Sequence, residues 1–280
     1  VTFEIVTIGD CRLFRGDALE ILPTLEPGSV DLLCSDAPYK VTQGGAAQRE
    51  RIDAGAGRKR SRGGWMNEYA NNGDIVTCNI EWADWMPMAF DVLANDRQAY
   101  FMSNGRSLFD AHSAAVHAGD RYGPDGRLIS EDGFKLHTVL VWDKRSALPN
   151  RWYQNITEFT LFMRKGEAFT INDPGSKNIF SLFQRDESKH PTEKPVELMA
   201  QYIGNSTQRG QTALDPFMGS GTTGVAAARL RRKFIGIELE KQWFDVACAR
   251  IEKAYDAAYL FDEPLPMPPE TQGSLWGGAA

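Results

Sequence analysis

Ala213-Leu-Asp-Pro-Phe-Met-Gly-Ser-Gly-Thr-Thr-Gly224 decides how the rest of the chain is read. Residues 211–214 are a short apolar strand, and Asp215-Pro216-Phe217 ends it. Met218-Gly219-Ser220-Gly221 is a tight turn, and residues 222–232 are an Ala-rich helix. Glycines let a backbone turn sharply and approach a ligand closely. The first N–H groups of a helix have no internal partner and favour a carboxylate or phosphate. Strand, Gly-rich turn and helix start therefore make a nucleotide-type cradle. The next strand, residues 232–238, ends in Glu238, 19 residues after Gly219. That is about the spacing at which an acid meets ribose hydroxyls in doubly wound folds. A structural turn followed by a surface glutamate would share part of this pattern, so the cradle needs support from elsewhere in the chain.

That support comes from a second strand end. Residues 30–35 form an apolar strand running into Asp36-Ala37-Pro38-Tyr39. An acid at the end of a strand faces the ligand crevice of an open α/β sheet. Pro38 fixes φ and stiffens the turn, and Tyr39 offers an aromatic face to a planar ring. A carboxylate beside a backbone carbonyl makes an acceptor pair suited to the two hydrogens of an amino group. If the strands before Asp36 and Asp215 are neighbours where strand order reverses, both turns face one crevice.

Composition bounds the classes. The chain has 280 residues, 42% hydrophobic and 11% aromatic, with a net charge of −6. This suits one large globular domain, with any nucleic-acid contact confined to a local basic patch. The four cysteines are scattered, and neither they nor the four histidines show metal-ligand spacing, so a reducing compartment and no metal are expected. No apolar run reaches membrane-spanning length, and no signal peptide is read at the start of the chain.

Working outward, short strands are expected at 12–15, 99–103, 134–143 and 158–164, the last two as a long antiparallel hairpin. Helices are expected at 18–25, 81–93 (where Pro87 would kink the axis), 108–118, 196–207 and 241–259. Trp82 and Trp85 are assigned to the core. Residues 119–133 look polar and turn-rich. His190-Pro-Thr-Glu-Lys-Pro195 leads into the helix at 196, where Thr192 is placed as a cap and Lys194 as a cation for a ligand carboxylate. Residues 40–74 are Gly-rich and basic. Lys40, Arg58, Lys59, Arg60, Arg62 and the following Trp65 are candidate DNA contacts. Residues 263–280, rich in Pro and Gly, are expected to be a disordered tail.

Three motifs in this order resemble the β class of DNA amino-methyltransferases. Asp36-Ala37-Pro38-Tyr39 is similar to that family's Asp-Pro-Pro-Tyr motif, with Ala37 replacing a proline. Asp215-Pro-Phe-Met-Gly-Ser-Gly221 is similar to its S-adenosylmethionine motif, and the 190–195 segment to the stretch before it. The resemblance covers residues 10–40 and 134–257. The long basic insertion resembles phage- and prophage-borne members. The family resemblance implies an α/β, doubly wound, seven-stranded and mostly parallel sheet with an antiparallel hairpin at one edge. The methyltransferase domain would span 1–262, with the insertion at about 40–80 and target-recognition segments within 40–187.

The resemblance also implies roles. Asp36, Pro38 and Tyr39 would be catalytic. Asp17, Asp36, Thr192, Lys194, Asp215, Phe217, Gly219, Gly221, Thr222 and Glu238 would hold S-adenosylmethionine, with Thr223 a weaker candidate. Double-stranded DNA would be the partner, a homodimer the assembly and the bacterial cytoplasm (or an infected host) the location. Asp at the first motif position points to adenine N6, with cytosine N4 as the alternative. A nucleotide-dependent oxidoreductase leaves the Asp-Ala-Pro-Tyr turn unexplained, and a silent DNA-binding module leaves the cofactor motif unexplained.

Overall fold

The computed structural model describes residues 3–37, 80–145, 153, 156–182 and 193–260, with side chains in the last helix as far as 258. The chain divides into a unit of Val1–Ala37 with Trp82–Ala280 and a unit of Pro38–Glu81. All but Ile80 and Glu81 of the second unit lie outside the described residues, as do 263–280.

The first unit is built on a nine-stranded sheet in the order β1-β2-β11-β10-β3-β4-β8-β7-β9. The strands are β1 (Glu4–Ile8), β2 (Cys11–Arg15), β3 (Val30–Ser35), β4 (Leu93–Ser103), β7 (Lys135–Asp143), β8 (Thr157–Lys165), β9 (Ile179–Ser181), β10 (Thr212–Asp215) and β11 (Lys233–Glu238). The central five, from β2 to β4, are parallel to one another. β8 runs antiparallel to β4, and β7 antiparallel to β8. The expected seven strands are the run from β2 to β7. Two short additions bring the count to nine: β1 folds back on β2, and β9 pairs with the outer edge of β7. Residues 119–133, expected to be turns, hold a separate small hairpin of β5 (Arg121–Tyr122) and β6 (Leu128–Ser130).

Helices cover both faces because the central strands are apolar on both sides. On β4, Tyr100 and Met102 join the core beneath α4 (Val196–Ser206), α5 (Thr222–Arg229) and α6 (Lys241–Leu260). Phe101, between them, faces the other way and packs edge-on against Trp85 and Phe134. Trp85 lies on α2 (Trp82–Val92), which with α1 (Ala18–Ile21) and α3 (Leu108–Val116) occupies that side. Both Trp82 and Trp85 are buried, as expected. α2 runs through Pro87. No helix among the described residues is long and apolar enough to cross a membrane.

Strand order reverses between β10 and β3. From β10 the chain crosses through α5 to β11 on one side; from β3 it crosses through α2 to β4 on the other. The two strands are parallel neighbours, with Ala213 opposite Leu32 and Leu214 opposite Leu33. Their C-terminal ends therefore emerge side by side at the switch point, where open α/β sheets place ligands.

Candidate active site

The turn after β10 is stiffened by the side chain that opens it. Asp215, buried, accepts from Ser35 Oγ (3.0 Å) and Phe217 N (3.1 Å) at Oδ1 and from Thr223 Oγ1 (2.6 Å) at Oδ2. It thus joins the end of β3, the turn and the start of α5. Burial pushes its carboxyl up to about 7, against the pull of these hydrogen bonds. Gly219 and Gly221 both have left-handed φ, +50° and +81°. A Cβ on Gly221 would stand 2.8 Å from the Cβ of Ala247, so this glycine lets α6 close on the start of α5. A Cβ on Gly219 would meet nothing within 4 Å among the described residues. Among the described residues the space before Gly219 is open, as a ligand cradle requires.

Glu238, at the end of β11, braces the same turn. Its Oε2 accepts from Gly219 N (3.0 Å) and its Oε1 from Glu240 N (2.8 Å). A carboxylate has about four acceptor sites, so hydroxyl donors can still be served. Burial raises its pKa. On the adjacent strand Arg15 stands opposite Glu238, and Gly16 N donates to the Glu238 carbonyl (3.0 Å). This brings Asp17 beside Glu238, where its Oδ1 caps α1 by accepting from Leu19 N (2.9 Å). Phe217 packs edge-on against Trp85, ring centroids 5.1 Å apart.

Asp36 stands at the end of β3. Its side chain is 25% exposed, and Oδ2 accepts from Lys194 Nζ at 2.7 Å. Its Oδ1 is shielded from solvent and has no hydrogen-bond partner among the described residues. Burial raises the Asp36 pKa, and the Lys194 ammonium opposes that rise. Lys194, buried, also pairs with Glu158 Oε2 at 3.0 Å, and Glu158 Oε1 accepts from Lys144 Nζ at 3.2 Å. The neighbouring Glu193 accepts from Ser220 Oγ (3.3 Å) in the Gly-rich turn and from Arg250 (2.5 Å) on α6. Arg250 also donates to the carbonyl and hydroxyl of Ser220, each at 2.7 Å. Two consecutive residues thus fasten the cradle and the acid of the facing turn.

A family model described as DNA methylase matches residues 30–249. The chain belongs to the DNA methylase family. It is 27% identical over 264 residues to the Type II methyltransferase M2.DpnII of Streptococcus pneumoniae, covering 86% of this chain and 89% of that protein. It is 28% identical over 263 residues to M2.LlaDCHI of Lactococcus lactis subsp. cremoris, with the same coverage. Among solved structures, the M1.HpyAVI–SAM complex matches with a TM-score of 0.60 at 22% identity, covering 86% of this chain and 98% of that one. The PvuII DNA methyltransferase, cytosine-N4-specific, matches with a TM-score of 0.59 at 17% identity, covering 90% and 93%. These neighbours bear out the fold expected from the motifs.

In this DNA methylase the sheet brings Asp17, Asp36, Lys194, Asp215, Phe217, Gly219, Gly221, Thr222 and Glu238 to one edge. Two of them sit differently from expectation. Lys194 was expected to face a ligand carboxylate; its ammonium instead holds two of the protein's own, because burial of a cation demands counter-charges. Asp215 was expected at the cofactor, but both its oxygens are engaged inside the turn. Thr192 lies outside the described residues; Pro195 occupies the N-cap of α4, without a side-chain cap bond. Pro38, Tyr39, Lys40, Arg58, Lys59, Arg60, Arg62 and Trp65 also lie outside them. Sequence reading missed Glu158, Lys144, Glu193 and Arg250 as parts of the site. Glu193 at least stands inside a motif already singled out.

Proposed function

We propose that this DNA methylase transfers a methyl group to the exocyclic amino group of adenine, N6, in double-stranded DNA, with S-adenosylmethionine as donor. The state of Asp36 carries this reading: a carboxylate oxygen shielded from solvent, without a partner among the described residues, beside a Gly-rich cradle. An unpaired buried acceptor is costly and calls for a donor, and an exocyclic amine supplies one.

The cradle fits the cofactor. Among the described residues Gly219 leaves open space before a helix start, and Glu238 ends β11 while Asp17 follows the end of the adjoining β2. Gly219, Gly221, Phe217 and Thr222 would line its methionine side, and Glu238 and Asp17 its nucleoside, while Asp215 holds the turn in shape. When bound, S-adenosylmethionine would supply an electrophilic methyl on a sulfonium centre: the S–CH3 bond would break as N–C forms, its electron pair staying on the sulfur as a thioether, and the amino nitrogen would release one proton toward the Asp36 carboxylate and solvent. The protein's task lies with the amine. Asp36 Oδ1 accepts one amino hydrogen, and the Pro38 carbonyl is assigned the other. Together they draw the nitrogen lone pair out of conjugation with the ring and fix its direction of attack. Lys194 opposes the effect of burial and favours the ionised, accepting form of Asp36. Tyr39 would stack on a base extruded at a cost of a few kcal/mol. Lys40, Arg58, Lys59, Arg60, Arg62 and Trp65 are assigned to the DNA, recognition to segments within 40–187, and the assembly is proposed as a homodimer.

Adenine is chosen because Asp occupies the first motif position. Cytosine N4 is the second reading, supported by the fold shared with a cytosine-N4-specific enzyme. The test is to incubate the protein with unmethylated DNA and labelled S-adenosylmethionine, then identify the modified nucleoside after digestion. N6-methyladenine is expected. N4-methylcytosine alone overturns the choice of base, and no transfer to any DNA overturns the reading.

A further inference from the structure

We infer that Glu158 is a positioning residue for methyl transfer, holding Lys194 so that this ammonium fixes Asp36 Oδ2 and leaves Oδ1 as a strong acceptor for the amino group. The inference rests on the functional reading above and extends it to a strand outside the three motifs.

The geometry begins with strand direction. β8 runs antiparallel to β4, with Phe159 opposite Ser103, so the start of β8 lies at the same edge as the ends of the parallel strands. Glu158 therefore sits two strands from Asp36 yet at the same level, and Lys194 spans the gap at 2.7 and 3.0 Å. Lys144, from the end of β7, closes the row at 3.2 Å. Charges alternate along it: Asp36 negative, Lys194 positive, Glu158 negative, Lys144 positive. Each ion has an opposite neighbour, which is the condition for keeping charges in a poorly solvated place.

The second carboxylate matters to the first. A buried ammonium with Asp36 as its main counter-ion would draw that carboxylate into a tight pair and weaken it as an acceptor. Glu158 takes part of that pull, and its negative charge counteracts the effect of Lys194 on Asp36. For its own part, Glu158 is pushed up by burial but held below the usual range by Lys194 and Lys144. Among the described residues, other titratable groups facing this cluster are Asp215 from β10, whose carboxyl Asp36 pushes up, Cys34 on β3, which lies near Asp36 and Asp215, and Tyr202 from α4, which lies near Lys194.

A residue that merely balanced a buried lysine for folding would move the acid limb through its charge but leave the plateau rate of transfer alone. The test is therefore single-turnover methyl transfer from about pH 5 to 8.5, with the acid limb reporting ionisation of Asp36. Glu158→Gln, near-isosteric, should slow transfer roughly tenfold, the scale of outer partners at other working sites. It should also displace the acid limb to lower pH, because a negative charge near Asp36 is gone. Lys194→Met should displace it to higher pH. Glu158→Asp should return the limb to the wild-type position. S-adenosylmethionine affinity, read by calorimetry, should be unchanged in Glu158→Gln. If wild type transfers methyl groups and folded Glu158→Gln keeps the wild-type plateau rate, this inference is overturned while the functional reading stands, whether or not the acid limb moves. If wild type transfers none, the functional reading fails and takes the inference with it. Should Glu158→Gln fail to fold, Lys144→Met decides: loss of the outer cation should move the limb to higher pH and lower the plateau rate, and an unchanged plateau rate overturns the inference.

Discussion

The turns after β10 and β3 lie side by side and treat their leading aspartates in opposite ways. Asp215 receives three hydrogen bonds from Ser35, Phe217 and Thr223, and both its oxygens are engaged. Asp36 has one oxygen fixed by Lys194 and the other buried without a partner among the described residues. Both carboxyls are raised by burial. What separates them is whether the protein completes the hydrogen bonding itself. A complete set marks a group that shapes the frame; an incomplete one marks a group held ready for something from outside. The same distinction divides the two glycines of the turn, one closed in by α6 and the other facing open space.

Substitutions can break or sharpen that contrast. The largest effect is expected at Asp36. Asp36→Ala removes the proposed acceptor and should lower single-turnover transfer by about 1000-fold, or about 4 kcal/mol of barrier. Although Asp36 is itself expected at the cofactor, S-adenosylmethionine affinity should fall by far less than transfer, since the Gly-rich turn is braced by Asp215, Glu193 and Glu238. A parallel collapse of cofactor binding, read by calorimetry, would break the contrast by making Asp36 part of the frame. Next come the glycines. Gly221→Ala combines a left-handed φ with a Cβ 2.8 Å from Ala247 and should cost about 3 kcal/mol in denaturant unfolding. Gly219→Ala meets no atom of the described residues and should cost only about 1 kcal/mol. Its effect should fall instead on S-adenosylmethionine affinity, because the methyl enters the open space. Equal losses of stability in the two variants would erase the distinction.

Much of this site was legible because it is built at strand ends, where sequence and geometry are tightly coupled. Residues 30–35 read as a strand from Val30, Leu32, Leu33 and Cys34, despite Asp31 among them, and are β3 in the structure. Gly219 and Gly221 were singled out for backbone freedom, and both take positive φ. The neighbouring of β10 and β3 followed from the logic of a switch point and is observed. β1 carried a signal that went unread: Ile5, Val6, Thr7 and Ile8 are β-branched and end at Gly9-Asp10. Glu158 carried no such signal. It is an ordinary acid at the start of a strand, and only the antiparallel course of β8 delivers it to Lys194. The two carboxylates around Lys194 went unread for the same reason. A lysine near a cradle suggests a ligand, and the two carboxylates that claim it come from residues 36 and 158, far apart in the chain. Local motifs disclose what one turn can bind; they do not disclose which charges the sheet will place opposite each other.

The mildest substitution tests the frame side of the contrast most directly by its sign. Asp215 has its folded-state pKa raised from 3.8 to about 7. Above the lower value the unfolded chain releases this proton while the folded protein keeps it. Folding therefore takes up a proton in that window, and the contribution of Asp215 to stability falls as pH rises from 3.8 to about 7. This is the reverse of the usual salt-bridged aspartate. Asp215→Asn keeps the size of the side chain and an oxygen for Ser35 and Phe217, and offers an N–H to Thr223 Oγ1, but does not titrate. In acid the two proteins should differ by about 1 kcal/mol or less, the scale of one altered hydrogen bond. As pH rises, wild type should lose stability relative to the variant, and unfolding midpoints at several pH values would show the curves diverging. If instead Asp215→Asn loses ground steadily from pH 4 to 7, the ionised carboxylate stabilises the turn. Asp215 would then be a charged partner rather than a neutral brace, and the division between the two aspartates would have to be redrawn around charge.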